Sequence, residues 1–262
     1  MADVTRVALF GGIYSNYLAL TAALRHMRRR GADVAWCLGD LGGFGPHPDR
    51  AADILRGSLV PMLRGNYDES VGLGRGDCGC GYSDPRDNRF AQLSYDYTLA
   101  NTHTAHREWM KGLPEQQRLE IAGRSLLLCH GSPRTVNEFL WESACSDAFL
   151  EWLCERHQAD VIACAHSGIP WHRALPSGRH VVNVGAIGRP ANDGCTEVWY
   201  GELEVGADVR VEFRRVEYDV ETLARDMARE ALPPEFIETI RTGWWTTCLE
   251  NLPAKERRRG RH

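Results

Sequence analysis

VALFGGIYSNYLAL, residues 7–20, reads as an apolar strand that breaks at Gly11-Gly12 and turns directly into a helix. Such a corner presents backbone N–H groups and a helix N-terminus, a usual place for a ligand. Yet Gly11, Gly12, Ile13, Tyr14 and Ser15 bring no carboxylate, imidazole or amine to it. The helix that follows carries Leu18, Leu20, Ala23, Leu24 and Met27 on one face and stops at Gly31. Next come a buried strand in DVAWCLGD (33–40), a helix in DRAADILRG (49–57) and a short strand in VPMLRGNYD (60–68). This strand–helix–strand–helix–strand order predicts a partly parallel sheet covered by helices.

Further along, ESVGLGRGDCGCGYSDPRDN (69–88) is rich in Gly, Asp and Pro and reads as a long loop, part of an insertion over 69–90. Helices are predicted in 89–102, 106–113 and 146–158, and hairpins in 117–131, 172–188 and 196–219. The 160–168 stretch is another strand with a polar end. Residues 220–230 and 233–245 read as helices. The chain is expected to form one domain over 1–218, with a C-terminal helical extension, 219–262, packed on it.

Composition bounds the function. The chain has 262 residues, 43% hydrophobic and 25% charged, enough for a sizeable core. A net charge of −4 gives no basic field for nucleic acid, and the basic tail of Lys255, Arg257, Arg258, Arg259 and Arg261 reads as a solvated end. The N-terminus reads as a first strand rather than a signal peptide, and no stretch has the length of a membrane span. A cytoplasmic protein is therefore expected. Its nine scattered cysteines are an odd number and are expected to be reduced thiols.

Polar residues end several strands: Asp40, Asn66, His130 and His166. Strand C-termini of an open sheet gather on one edge, so these four are predicted to converge. A carboxylate, an amide oxygen and two imidazoles suit Mn, Fe, Zn or a similar divalent ion.

Their order and spacing resemble the calcineurin-like metallophosphoesterases of the compact bacterial and archaeal type. That family carries D-x-H, G-D, G-N-H-D, H-G and G-H-x-H in sequence. The counterparts here are GIY (12–14), GD (39–40), GNYD (65–68), HG (130–131) and AHSG (165–168), within flanking text such as GDLGGFGPHP, HGSPR and NVGAIGRP. The resemblance implies an α/β sandwich of two mixed sheets flanked by helices, with the site at one edge. It also implies two metal ions sharing one Asp. The first would need a D-x-H pair and a final His, but Gly12, Tyr14 and Gly168 stand there. The second would use Asp40, Asn66, His130 and His166, all present. One ion per chain is therefore expected. The family's proton-donating His is Tyr67 here, beside Asp68, which would hydrogen-bond Tyr67 or a nearby amide.

These implications give a metal-dependent phosphoesterase acting on a phosphomonoester or phosphodiester, its partner a small phosphate ester or a nucleotide. Tyr14, Tyr67 and Asp68 take catalytic positions, with Asn16 and Ser132 toward substrate. Cys78 and Cys80, a C-x-C in the insertion, are candidates to replace lost ligands. Two alternatives stay open: a degenerate fold that binds a ligand or partner without turnover, and a single-metal enzyme of altered chemistry. Self-association as a homo-oligomer also stays open.

Overall fold

Alternation along the first strand, β1 (Thr5–Phe10), sets the architecture: Val7 and Leu9 enter one apolar cluster, Ala8 and Phe10 another. In the computed structural model, which describes residues 4–258, the first cluster lies between two sheets. Arg259 and Arg261 of the basic tail lie outside the described residues. The chain continues through α1 (Tyr17–Arg29), β2 (Val34–Cys37), α2 (Pro48–Ser58), α3 (Asn66–Leu73), α4 (Pro85–Ala100) and α5 (Thr104–Lys111). Then follow β3 (Gln116–Ile121), β4 (Arg124–Cys129), α6 (Asp147–Arg156), β5 (Val161–Cys164), β6 (Trp171–Ala174) and β7 (His180–Asn183). The last elements are β8 (Val198–Val205), β9 (Val209–Val216), α7 (Val220–Arg229), α8 (Pro234–Thr242) and α9 (Ala254–Arg257).

Both sheets are mixed. One has the order β2-β1-β8-β9, the other β3-β4-β5-β7-β6. The β1–β2, β4–β5 and β5–β7 pairs are parallel and the remaining pairs antiparallel. Leu126 and Leu128 of β4 face β1 across the sandwich, while Leu127 and Cys129 pack under α6. Period-two alternation thus serves two cores at once, the sheet–sheet interior and the helical cover. The parallel strands β4 and β5 end on the same edge, which brings His130 and His166 together.

The predicted strands and hairpins appear close to their expected places. One segment differs. Residues 60–68 do not form a strand: Met62 makes a single bridge to Cys37, and α3 starts at Asn66, inside the stretch read as strand and loop. The cause is local. The Asp68 carboxylate accepts from the Gly65 amide at 2.8 Å, capping a new helix whose first turn also holds Glu69. The loop proper is confined to 74–84.

Helices α7 and α8 lay Leu223, Met227, Phe236 and Ile240 against Phe44 and Phe90, beside the sheet edge that carries the polar strand ends. No helix among the described residues is long and apolar enough to cross a membrane.

Candidate metal centre

The site begins with a glycine. Gly39, with φ 101°, lets the end of β2 touch two other segments: a Cβ there would lie 2.6 Å from the Gly65 nitrogen and 2.8 Å from His130 Nδ1. Asp40 follows with φ 60°, a left-handed backbone that a non-glycine residue keeps only when its surroundings fix it. Asp68 fixes it. Its buried carboxylate accepts from the amides of Asp40 (2.8 Å), Leu41 (3.0 Å) and Gly65. Burial and the nearby Asp40 push the Asp68 carboxyl up to about 7. Of the two partners expected for it, Asp68 takes the backbone amides.

Asp40, Asn66, His130 and His166 are all buried and meet at one point. His130 Nε2 lies 3.1 Å from Asn66 Oδ1, 3.2 Å from His166 Nδ1 and 3.2 Å from Asp40 Oδ2. The outward N–H groups are spoken for. His130 Nδ1 lies 2.7 Å from the Leu38 carbonyl, His166 Nε2 lies 3.2 Å from the Cys80 carbonyl, and Asn66 Nδ2 donates to the Cys78 carbonyl at 2.9 Å. A carbonyl only accepts, so these contacts assign the outward protons and turn the lone pairs of His130 Nε2, His166 Nδ1 and Asn66 Oδ1 inward, beside the Asp40 carboxylate.

Converging lone pairs repel unless a cation stands among them. A proton on His130 is one answer. Burial favours its neutral form, but Asp40 outweighs burial and raises its pKa above the ordinary value. Burial likewise opposes ionisation of Asp40, and His130, His166 and the Tyr67 amide outweigh it, so that pKa falls. His166, buried beside His130, is lowered to about 3 and stays neutral. A divalent ion is the other answer. Asp40, His130 and His166 each offer an atom within 4.8 Å of the others, and the outward hydrogen bonds hold the rings as metal-binding imidazoles require. The residues present therefore fit a metal ion.

The opposite wall is aromatic. Gly12 has φ 53°, and a Cβ there would lie 2.7 Å from Ala186 Cβ and 2.9 Å from Tyr14 Cζ. The Tyr14 ring thus covers the space an aspartate at position 12 would need. A Cβ on Gly168 would meet Trp245 Cη2 at 3.5 Å and the Tyr14 hydroxyl at 3.9 Å. Burial and Asp40 raise the Tyr14 phenol well above its ordinary pKa.

Tyr14, Asp40, Asn66, Tyr67, Cys80 and His166 line one cavity of about 50 Å³, adjoining His130. Tyr67 donates through its amide to Asp40 Oδ1 at 3.1 Å and through its hydroxyl to Ser94 Oγ at 3.0 Å. Two expected substrate contacts stand elsewhere. Asn16 caps α1, accepting from the Ala19 amide at 3.0 Å and donating to the Gly188 carbonyl. Ser132 holds a turn with Glu138, Arg134 and Thr135. The cysteine expectation is corrected as well. Cys78 and Cys80 form a disulfide across Gly79, Cα–Cα 5.3 Å. Sulfurs bonded to each other are not thiolate ligands, and the loop contributes carbonyl oxygens to the site instead. The other seven cysteines are free thiols.

Sequence reasoning missed Arg189, in the turn after β7, and Thr247, from the C-terminal segment, both in the same cavity wall. The one signal for Arg189 is a lone charge at the end of the otherwise apolar, glycine-rich VGAIGRP.

Residues 6–204 match the calcineurin-like phosphoesterase superfamily domain. The chain belongs to that superfamily. It is 25% identical over 243 residues to the uncharacterized protein MJ0912 of Methanocaldococcus jannaschii, covering 87% of this chain and 93% of that one. Among solved structures it is similar to hypothetical protein PH1004 from Pyrococcus horikoshii OT3, with TM-score 0.77 and 21% identity over 92% of this chain and 100% of that one. It is also similar to a metallophosphoesterase from Sphaerobacter thermophilus, with TM-score 0.70 and 24% identity over 92% and 100%. These structural likenesses carry the two-sheet fold. Superfamily membership and the Asp40, His130 and His166 cluster support a metal-dependent phosphoesterase in general.

Proposed function

We propose that this protein is a phosphoesterase built around a single divalent transition-metal ion, Mn, Fe or Zn in type, which Asp40, Asn66, His130 and His166 would hold. The observation that carries the reading is the convergence of their lone pairs, with an outward N–H of each imidazole and of the Asn66 amide tied to a carbonyl. When bound, the ion would supply Lewis acidity to a phosphoryl oxygen and a water of lowered pKa. The chain's own residues do the rest. The carbonyls of Leu38, Cys78 and Cys80 fix the imidazole and amide orientations. Asp68 fixes the Asp40 loop, and the Tyr67 amide orients the Asp40 carboxylate. Tyr14 stands at the cavity wall, facing substrate.

One observation favours binding without turnover. The Tyr67 hydroxyl is engaged with Ser94, and burial raises its pKa far above neutrality, which makes it a poor proton donor to a leaving group. Hydrolysis is therefore expected to favour substrates with acidic leaving groups. The test is release of p-nitrophenol from p-nitrophenyl phosphate and from bis(p-nitrophenyl) phosphate, by protein loaded in turn with Mn²⁺, Fe²⁺ and Zn²⁺. Turnover that disappears on chelation and in His166→Ala supports the reading. Turnover indifferent to both, or none with any of the three ions, contradicts it.

A further inference from the structure

Arg189 is a buried cation. It is 6% exposed, and among the described residues no acidic side chain lies within ion-pair distance of it. Its guanidinium lies 3.7 Å from the ring centroid of Trp245 and 5.1 Å from that of Phe44. One amino group, Nη2, donates to the Thr247 carbonyl at 2.7 Å. Among the described residues its buried Nε has no hydrogen-bond partner, and neither has the buried hydroxyl of Thr247. Both residues line the cavity that also holds Asp40, Asn66 and His166. A buried guanidinium with an idle donor is costly, and its cost is offset when an anion takes the unused N–H groups. Two aromatic rings pack against the guanidinium and restrain it, which lowers the entropic cost of an oxyanion bond to it.

The geometry points to Arg189, with Thr247, as an anion-binding subsite that receives the phosphoryl group of a phosphomonoester beside the metal centre. The inference rests on the phosphoesterase reading for the identity of the anion. Two features narrow the class. A phosphomonoester presents terminal oxygens to a planar fork, and Arg matches that geometry with paired hydrogen bonds. The cavity of about 50 Å³ has space for a few water-sized groups, so the part of a ligand that enters it is of the size of a phosphoryl group. Arg189 also stands at the opening corner: the neighbouring Gly188 amide donates to the Gly12 carbonyl at 2.8 Å, and Trp245 reaches from Arg189 to Gly168. A fixed positive charge therefore stands in the wall of the same cavity that Asp40, Asn66 and His166 line.

The test titrates inorganic phosphate into wild type, Arg189→Met, Arg189→Lys and Thr247→Val by calorimetry, each metal-free and loaded with Mn²⁺, while elemental analysis reads metal content separately. Arg189→Met is expected to weaken phosphate binding about tenfold or more in both states, with metal content unchanged. Arg189→Lys keeps the charge but loses the fork, and should fall between wild type and Arg189→Met. Thr247→Val preserves shape, leaves Arg189 in place and should weaken binding about threefold or more. Should Arg189→Met fail to fold, the other two variants carry the result. Unchanged phosphate affinity in the folded variants overturns the subsite, and so does a wild type that binds no phosphate in either state. Failure of the metal reading appears separately, as wild type without metal, and the metal-free titrations still decide Arg189.

Discussion

On one side of the cavity, Asp40, Asn66, His130 and His166 turn lone pairs toward a common centre. On the other, Tyr14 and Trp245 lay aromatic rings over Gly12 and Gly168. The polar side is held by backbone: three carbonyls take its outward N–H groups, and Asp68 ties down the Asp40 loop. The aromatic side is held by packing and by one buried cation, Arg189. On the reading proposed above, the polar side would hold the one ion, while rings occupy the ground beside it. Filling requires no ligand to be left unpaired, whereas a half-kept ligand set would leave buried charge uncompensated.

The largest effect is expected from breaking the polar side. His130→Ala and His166→Ala should each abolish metal binding, read by elemental analysis. His130→Ala should also lower stability by about 3 kcal/mol or more, because it strands the buried Asp40 carboxylate. Metal retained in either variant removes that residue from the ligand set.

On the aromatic side, the double change Gly12→Asp, Tyr14→His should add no second ion. Position 12 has φ 53° and the Ala186 Cβ at 2.7 Å from any new Cβ, so the variant should lose about 2–3 kcal/mol in urea unfolding. A second ion bound with undiminished stability would show that the rings are not what closes this corner.

A charge cluster far from the cavity gives a control. Glu202, 2% exposed, receives Arg30 and Arg214 at 2.6–2.8 Å, and those hydrogen bonds lower its pKa from 4.5 to about 2. A lowered carboxylate pKa adds stability that is present above pH 4.5 and lost as pH falls toward 2. Glu202→Gln should remove about 1–2 kcal/mol at neutral pH, allowing for water around both guanidinium groups, and should flatten the acid limb of stability against pH. Metal content should not change.

The smallest effect sharpens the role of Tyr67. Tyr67→Phe keeps the ring and removes the hydroxyl bond to Ser94, costing about 1 kcal/mol. A fall in kcat of about a hundredfold, with stability barely altered, would instead make the phenol a proton donor.

Most of the polar side was legible in the sequence because Asp40, His130 and His166 follow strand ends, where chain order predicts convergence, and Asn66, which opens α3, was legible through the GNYD motif. Asp40, Asn66, His130 and His166 needed no knowledge of distant contacts. Helix α3 was harder: GNYD reads as the end of a strand and ES as the start of a loop, and the helix depends on the Asp68 carboxylate capping Gly65 while also bonding Asp40 and Leu41. The same bonds explain why Asp68 does not hydrogen-bond Tyr67. Asn16 and Ser132 carry the right chemistry for substrate contacts, but capping and turn formation use those same atoms first. The aromatic side was the least legible. The resemblance sets Gly12 and Tyr14 where a ligand pair would stand, but does not say what fills the space. Arg189 gains its meaning from Trp245 and from Thr247, 58 residues away, and no local pattern announces such a pairing.

The count of metal ions in protein purified without added metal bears most directly on the contrast between the two sides. Elemental analysis against protein concentration should give about one divalent transition-metal ion per chain, absent in His166→Ala. Two ions per chain would contradict the account, since the aromatic side would then hold a metal that its rings are said to exclude.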